Sequence, residues 1–147
     1  MKEKFQKLYM DIATRVAELS HARRLHVGCI IVKDDRIISI GYNGMPAGWD
    51  NNCEFEFTDP QTKMKSLVTR KEVLHAETNA IAKLARSGEH GLDSDLFVTH
   101  APCMDCAKLI YQSGIRRVWF RTAYRDGAGV DFLKASGIQV EQMEKGQ

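Results

Sequence analysis

Two short segments constrain the fold of this chain more than any other feature. The first is His75-Ala76-Glu77, and the second is Pro102-Cys103-Met104-Asp105-Cys106. Imidazole nitrogen and cysteine thiolate are ligands that zinc prefers in proteins. One histidine and two cysteines supply three such ligands, which leaves a fourth coordination position open for water. A fold compatible with this interpretation must bring two segments that are distant in sequence to one point.

The residues around these ligands indicate a particular chemistry. His-x-Glu followed by Pro-Cys-x-x-Cys is typical of zinc-dependent nucleobase deaminases, in which the glutamate transfers protons and is not a ligand. Glu77 would take a proton from water activated by zinc, deliver it to N3 of cytosine, and pass another to the departing amine. We therefore predict that His75, Cys103 and Cys106 are metal ligands and that Glu77 is catalytic.

These side chains are expected at the starts of two helices. Cys103 and Cys106 are three residues apart and would share one face of a first helical turn, where the helix dipole favours thiolates. His75 and Glu77 would lie about 200° apart on an ideal helix. They can converge only if His75 occupies the very start of its helix.

Other interpretations of the cysteines exist. A Cys-x-x-Cys pair alone could be a redox pair or half of a structural zinc site. Cys53 could supply a fourth protein ligand and close the site, which would abolish catalysis. The catalytic interpretation is preferred because it also explains Glu77 and Pro102.

The composition of the chain limits its partners and its location. Its 147 residues, 44% hydrophobic and 27% charged, are typical of one globular domain, here residues 1–147. Lys and Arg number 21 against 19 Asp and Glu, a balance that argues against a large nucleic-acid-binding face. We see no signal peptide and no apolar run of about 20 residues, so we predict no membrane association and a cytoplasmic location, where thiols stay reduced.

Apolar periodicity predicts elements in the order α-β-β-α-β-α-β-α-β. This alternation is typical of an α/β protein, and we expect a three-layer α/β/α fold with a central five-stranded mixed sheet. Residues 45–74 show no clear period and are interpreted as a loop insertion over one mouth of the fold. The predicted helices cover about 4–20, 75–86, 103–113 and 130–136, and the predicted strands cover 27–32, 36–40, 96–99, 117–120 and 138–143, the last at a sheet edge.

Longer stretches around the motifs resemble a known family. Residues 75–81 and 98–108 are similar to the cytidine deaminase superfamily, and residues 41–48 and 113–118 resemble its deoxycytidylate (dCMP) deaminase branch. The resemblance covers about residues 5–143. It implies one catalytic Zn²⁺, hydrolysis of dCMP to dUMP for thymidylate synthesis, a homohexamer, activation by dCTP and inhibition by dTTP. A virus-encoded copy would act in the host cytoplasm.

The same resemblance implies roles for residues that would bind the nucleoside. Asn43 would bond the deoxyribose, and the backbone near Ala76 would read the pyrimidine edge. Tyr124 would pack on the base, although a loop aromatic resting on the core is an equal alternative. Asn79 is typical of the dCMP branch and is included among the substrate-binding residues.

Four arginines are candidates for binding the 5′-phosphate. Arg23 and Arg24 precede the first strand, and a guanidinium there could hold a phosphate bidentately. Arg121 and Arg125, near the predicted base-binding tyrosine, are alternatives. A solvated polar turn is the competing interpretation of the first pair.

Regulation and a second metal site are also suggested by the resemblance. The long loop, with Gly44, Gly48 and Asn51, is the expected effector region. Some relatives bind a second, structural zinc, for which this chain offers only His21, Cys53 and His26, so one zinc per chain is preferred. His90 and His100 are expected to be surface or structural histidines. Two other functions remain open, a tRNA or nucleic-acid deaminase and a non-catalytic zinc-stabilised binding module.

Overall fold

A computed structural model describes residues 1–144 of the chain, and the predicted domain therefore extends three residues beyond the described part. That part contains four helices and seven strands, with four of the strands between the first two helices. None of these helices combines the length and apolar character needed to cross a bilayer. The helices are α1 (Glu3–Ala17), α2 (Ala76–Ala85), α3 (Met104–Gln112) and α4 (Ala128–Ala135), and the strands are β1 (Gly28–Lys33), β2 (Arg36–Tyr42), β3 (Glu54–Thr58), β4 (Lys65–Thr69), β5 (Asp95–His100), β6 (Arg117–Thr122) and β7 (Gln139–Gln142).

Five strands form a central mixed sheet in the order β2-β1-β5-β6-β7. Strand β1 is antiparallel to both β2 and β5, whereas β5, β6 and β7 run parallel. The predicted five-stranded mixed sheet is confirmed, and the last strand lies at an edge as expected. Because β5 and β6 are parallel, their carboxyl ends meet at one edge of the sheet, where α3 begins directly after β5.

Side-chain alternation along the strands divides the core into two layers. In β1, Cys29 and Ile31 face one layer, while Ile30 and Val32 face the other. The first layer packs against α2, α3 and α4, and the second packs against α1 alone. Each β1 side chain from Cys29 to Val32 is at most 1% exposed, which explains why this strand reads as a continuous apolar run.

Two glycines allow helices to approach the site closely. A Cβ at Gly41 in β2 would collide with the backbone of Ala76, at the start of α2. A Cβ at Gly129 in α4 would collide with the carbonyl of Pro102 and the backbone of Cys103, at the start of α3. Both helix starts that carry the predicted zinc ligands are therefore positioned by contacts that only glycine permits.

The prediction that residues 45–74 form an irregular loop is wrong for part of that segment. Strands β3 and β4 pair as a separate antiparallel hairpin, with Glu54 opposite Thr69 and Thr58 opposite Lys65. Most of its residues are exposed, so the apolar run that marks a core strand is missing. The alternation in Glu54-Phe55-Glu56-Phe57 was the signal that could have identified it.

Candidate metal centre and active site

The predicted metal ligands lie at the starts of α2 and α3. His75 is the N-cap of α2 with extended backbone (φ −75°, ψ 159°), and Cys103 is the N-cap of α3 (φ −73°, ψ 172°). Cys106 lies in the first turn of α3. A residue at an N-cap commonly bonds the backbone N–H groups of its own helix, but neither His75 nor Cys103 does so. Their side chains are therefore free to approach each other.

The extended backbone of His75 removes the geometric conflict with Glu77. Regular helical rotation would place the two side chains on opposite faces, but the regular helix begins only at Ala76. His75 thus occupies the very start of its helix, as the spacing requires. Glu77 can point into the same pocket from the first turn.

The three ligand atoms have separations that suit a zinc ion. His75 Nδ1 lies 3.3 Å from Cys106 Sγ and 3.6 Å from Cys103 Sγ, and the three atoms all lie within 4.8 Å of one another. Tetrahedral zinc with ordinary Zn–N and Zn–S bonds separates nitrogen from sulfur by about 3.6 Å. The donor set of one imidazole and two thiols is also one that zinc accepts. The residues fit a zinc ion.

The two thiols differ in how readily they ionise. Hydrogen bonds from Cys106 and His75 lower the pKa of Cys103 to about 4, so this sulfur is a thiolate at neutral pH. The bond to Cys103, followed by burial and the nearby Glu77, raises the pKa of Cys106. Cys106 would therefore release its proton only when a cation supplies compensating charge, since thiol ligands deprotonate on metal binding.

Glu77 is buried beside this cluster, with 4% of its surface exposed. Burial is the largest influence on its carboxyl and, against the opposing effects of its own backbone N–H and of His75, raises the pKa to about 7. A carboxyl that titrates near neutral pH can both accept and donate a proton under ordinary conditions. The structure thus places a carboxyl group that can exchange protons near neutral pH next to the three candidate ligands.

A pocket of about 500 Å³ opens onto this cluster, within the usual size range for small-molecule sites. It brings together several residues of the sequence prediction and excludes others. The residues of the prediction that line it are Arg24, Asn43, His75, Ala76, Glu77, Cys103 and Tyr124.

Asn43 lies at the end of β2 and is held firmly in place. Its Oδ1 accepts a hydrogen bond from the backbone of Val27 (2.9 Å), and its Nδ2 donates to the carbonyl of Leu25 (2.7 Å). One N–H and one lone pair of the amide remain for a ligand. Asn43 therefore shapes the segment before β1 and can still contact a molecule in the pocket.

Arg23 and Arg24 have different environments. The guanidinium of Arg23 points to Glu54 (3.3 Å) and Asn52 (3.0 Å). Arg24 instead lines the pocket, and its Nη1 donates to Thr69 Oγ1 (3.0 Å). Of this pair, only Arg24 is placed to meet a ligand.

The other predicted substrate-binding residues do not line the pocket. Arg121 lies on the α1 side of the sheet, where it bonds Thr14 (2.7 Å) and Asp11 (3.2 Å). Arg125 is an exposed residue after β6. Asn79 donates to the carbonyl of Tyr42 (2.8 Å) and so ties α2 to the end of β2.

The predicted effector residues also lie outside the lining. Gly44 pairs with Leu74 through two backbone hydrogen bonds of 3.1 and 2.8 Å. Gly48 has φ of +85°, a conformation that favours glycine, and the carbonyl of Asn51 faces the thiol of Cys53 at 3.5 Å. These contacts shape the turn between β2 and the hairpin.

The alternative second zinc set does not form a cluster in residues 1–144. His75, Cys103 and Cys106 are the one group of convergent ligand atoms in that part of the chain. Instead, His26 Nε2 lies 2.6 Å from the carbonyl of Ala22, and Cys53 is buried beside the pocket.

Sequence reasoning missed three polar residues that line the pocket: His100, Glu54 and Thr69. Burial lowers the pKa of His100, so its imidazole is neutral at neutral pH. Its position at the end of β5, directly before Ala101-Pro102, was a signal that could have placed it near the zinc ligands. Glu54 and Thr69 belong to the unpredicted hairpin, and no local signal connected them to the site.

Comparison with known proteins identifies the family. The model of the cytidine and deoxycytidylate deaminase zinc-binding region matches residues 3–122. The deoxycytidylate deaminase of Enterobacteria phage T4 is 34% identical over 170 residues, covering 92% of this chain and 88% of the phage protein. That of Schizosaccharomyces pombe is 33% identical over 139 residues, and the match spans 91% of this chain but only 42% of the yeast protein.

A solved structure agrees with these relatives. The dCMP deaminase of cyanophage S-TIM5, crystallised with dCMP and dUMP, superposes with a TM-score of 0.87 at 40% identity. The match covers 97% of this chain and 99% of the phage chain. Family motif, convergent ligands and overall fold therefore agree, and the chain belongs to the cytidine and deoxycytidylate deaminase family that shares this zinc-binding region.

Proposed function

We propose that this protein hydrolyses dCMP to dUMP and ammonia with the help of one zinc ion, supplying dUMP for thymidylate synthesis. The observation that carries the proposal is the convergence of His75, Cys103 and Cys106 beside buried Glu77, in a pocket that also contains Arg24. The first three residues would bind the metal, Glu77 would transfer the protons, and Arg24 would bind the negatively charged phosphate of the substrate.

The chemistry needs proton transfer at two substrate atoms. His75, Cys103 and Cys106 would hold the zinc ion, which would supply a Lewis acid that makes water a stronger nucleophile. Glu77 accepts a proton from the attacking water and delivers it to N3 of the cytosine while the water oxygen adds to C4. Glu77 then transfers the second water proton to the exocyclic nitrogen, the C4–N4 bond breaks, and ammonia leaves.

Burial equips Glu77 for these alternating roles. In the metal-free protein the pKa of Glu77 is about 7, and a carboxylate in this range is basic enough to take the first proton and acidic enough to return it. The low exposure of Glu77 also keeps bulk water from competing for the proton. Glu77 lies two residues from His75, which is near enough to act at the metal without being a ligand.

For the nucleotide, we place the phosphate on Arg24 in preference to the other three arginines. Arg23 is bonded to Glu54 and Arg121 to Asp11, whereas Arg125 is outside the pocket lining. The remaining amide capacity of Asn43 would bind the deoxyribose. The backbone of Ala76 would contact the base edge, the exposed ring of Tyr124 would pack on the base, and Asn79 would support them by holding α2 to β2.

The family resemblance also motivates proposals on regulation and assembly. In these, dCTP activates and dTTP inhibits through the turn that contains Gly44, Gly48 and Asn51, and six copies of the chain form the active particle. The expected location is the cytoplasm of the cell, or of the host for a viral copy. Activity and sedimentation measured with and without each effector test these proposals.

The primary test measures ammonia release from dCMP, deoxycytidine, CMP and dCTP by the zinc-loaded protein. We expect dCMP to have the highest kcat/KM. A single-stranded oligonucleotide containing cytosine serves as the nucleic-acid arm and should not be deaminated. If deoxycytidine reacted as well as dCMP, the assignment of a phosphate-binding arginine would fail. If no substrate reacted, the non-catalytic zinc module would replace the proposed enzyme.

A further inference from the structure

Glu54 is a buried acidic residue at the wall of the pocket, only 1% exposed. A buried carboxylate is stable only when other groups satisfy its charge and its lone pairs. Its Oε2 accepts hydrogen bonds from the backbone N–H groups of Arg23 (2.8 Å) and Arg24 (3.0 Å). Its Oε1 accepts a bond from Nε of Arg23 (3.3 Å). The side chain of Glu54 therefore holds the backbone of both arginines.

The residue opposite Glu54 in the hairpin holds the other end of Arg24. Glu54 and Thr69 are cross-strand partners in the β3–β4 pairing. Thr69 Oγ1 accepts a hydrogen bond from Nη1 of Arg24 at 3.0 Å. One pair of hairpin residues thus contacts both the backbone and the guanidinium of Arg24, which belongs to an irregular segment between α1 and β1.

Arg23 and Arg24 differ in whether a carboxylate neutralises the guanidinium. Arg23 forms an ion pair with Glu54 and neutralises it. Across residues 1–144, no carboxylate pairs with Arg24, whose guanidinium meets the neutral hydroxyl of Thr69. Glu54 can therefore lie beside an anion-binding pocket without repelling the anion, and the positive charge of Arg24 remains available.

We propose that Glu54 and Thr69 are positioning residues that set the preference for a 5′-phosphorylated nucleotide by holding Arg24 in the pocket. This inference rests on the proposed function. A guanidinium that is already oriented loses less conformational freedom when it binds, so its hydrogen bonds contribute more to affinity. The hairpin is thus a specificity element that acts through Arg24 and makes no contact with the reacting atoms.

The matched variants Thr69→Val and Thr69→Ser test the guanidinium contact at an exposed position. Valine keeps the shape of threonine and removes the hydroxyl, whereas serine keeps the hydroxyl. We expect Thr69→Val to raise KM for dCMP about tenfold, as for loss of a charge-assisted hydrogen bond, with kcat changed less than about twofold. Thr69→Ser should behave as wild type, and kcat/KM for deoxycytidine should be unchanged in both variants.

Glu54→Gln, alone and combined with Arg24→Ala, tests the backbone contact. Glutamine removes the charge and replaces one carboxylate oxygen by an NH2 group, which must face either the two backbone N–H groups or Nε of Arg23. One set of donors therefore loses its acceptor, and we expect at least a tenfold fall in the ratio of kcat/KM for dCMP to that for deoxycytidine. In the Arg24→Ala background, Glu54→Gln should leave this ratio unchanged, because there is no guanidinium left to position.

The outcomes separate this inference from the proposed function. One outcome is that wild type prefers dCMP while Thr69→Val and Glu54→Gln lower kcat/KM for dCMP and for deoxycytidine by the same factor. In that case the two residues are merely structural and the inference is overturned. An unchanged ratio in Thr69→Val overturns it as well, even if Glu54→Gln fails to fold. If wild type shows no preference for dCMP over deoxycytidine, the proposed function itself fails and the inference falls with it.

Discussion

A methyl group added at Gly129 should impair zinc binding without changing the side chain of any predicted ligand. The Cβ of Gly129→Ala would lie 2.7 Å from the carbonyl carbon of Cys103 and 2.8 Å from its oxygen, and would also collide with the carbonyl of Pro102. Ordinary contacts of a Cβ begin near 3.4 Å. The difference shows that the contact between α4 and Cys103 must open by about 0.6–0.7 Å. Ligand distances tolerate only about 0.2 Å, so even a third of this displacement at Cys103 would disturb the site.

The expected effect is a 10- to 100-fold loss of zinc affinity, the range for changes that displace a ligand from outside the coordination shell. Metal-free protein should also lose about 1–3 kcal/mol of unfolding free energy through overpacking. Competition with a chromogenic chelator measures zinc affinity, and denaturant unfolding measures stability. Gly88→Ala is the matched control, since nothing lies within 4 Å of its new methyl group. Equal zinc affinity in Gly129→Ala and wild type would refute the reasoning.

Three further predictions concern the acid–base residue, the hairpin carboxylate and the core. Glu77→Gln should retain one zinc per chain by metal analysis and lose about 10²- to 10⁴-fold in kcat, and retained turnover would remove Glu77 from its role. Burial would raise the pKa of Glu54, but the N–H groups of Arg24 and Arg23 and the Arg23 guanidinium lower it overall. Its contribution to the stability of metal-free protein should therefore be constant above the carboxyl pKa of the unfolded chain, about 4.3, and disappear as the pH falls through the folded value. Urea unfolding of wild type and Glu54→Gln should show a stability difference that shrinks only below about pH 4, and a constant difference would contradict this. Phe97→Ala should cost about 3–5 kcal/mol of unfolding free energy, because its fully buried ring stacks on another core aromatic at 4.7 Å, and a loss below about 1 kcal/mol would show that the core collapses around the gap.

The sequence by itself determined the fold class and the centre of the site. Alternating apolar patterns are local, so the order of the main helices and strands could be predicted with boundaries that differ from the structure by a few residues. Zinc chemistry accepts few residue types, and the spacing of His75, Cys103 and Cys106 already restricted how they could meet. Even the position of His75 at a helix start followed from the angle that a regular helix imposes between it and Glu77.

The tertiary structure alone decided which residues surround that centre. Sequence reasoning kept four arginines as candidates, because a guanidinium carries no local signal of where its side chain points. Arg121 faces α1 because strand side chains alternate and it shares a face with Trp119, whereas Arg24 reaches the pocket because Glu54 and Thr69 hold it. Those contacts join residues that are separated by 30 and by 45 positions in the sequence. Pairing over such distances depends on how the chain packs. The hairpin that provides it is mostly exposed, and its short alternation of Glu and Phe does not indicate which part of the chain it contacts.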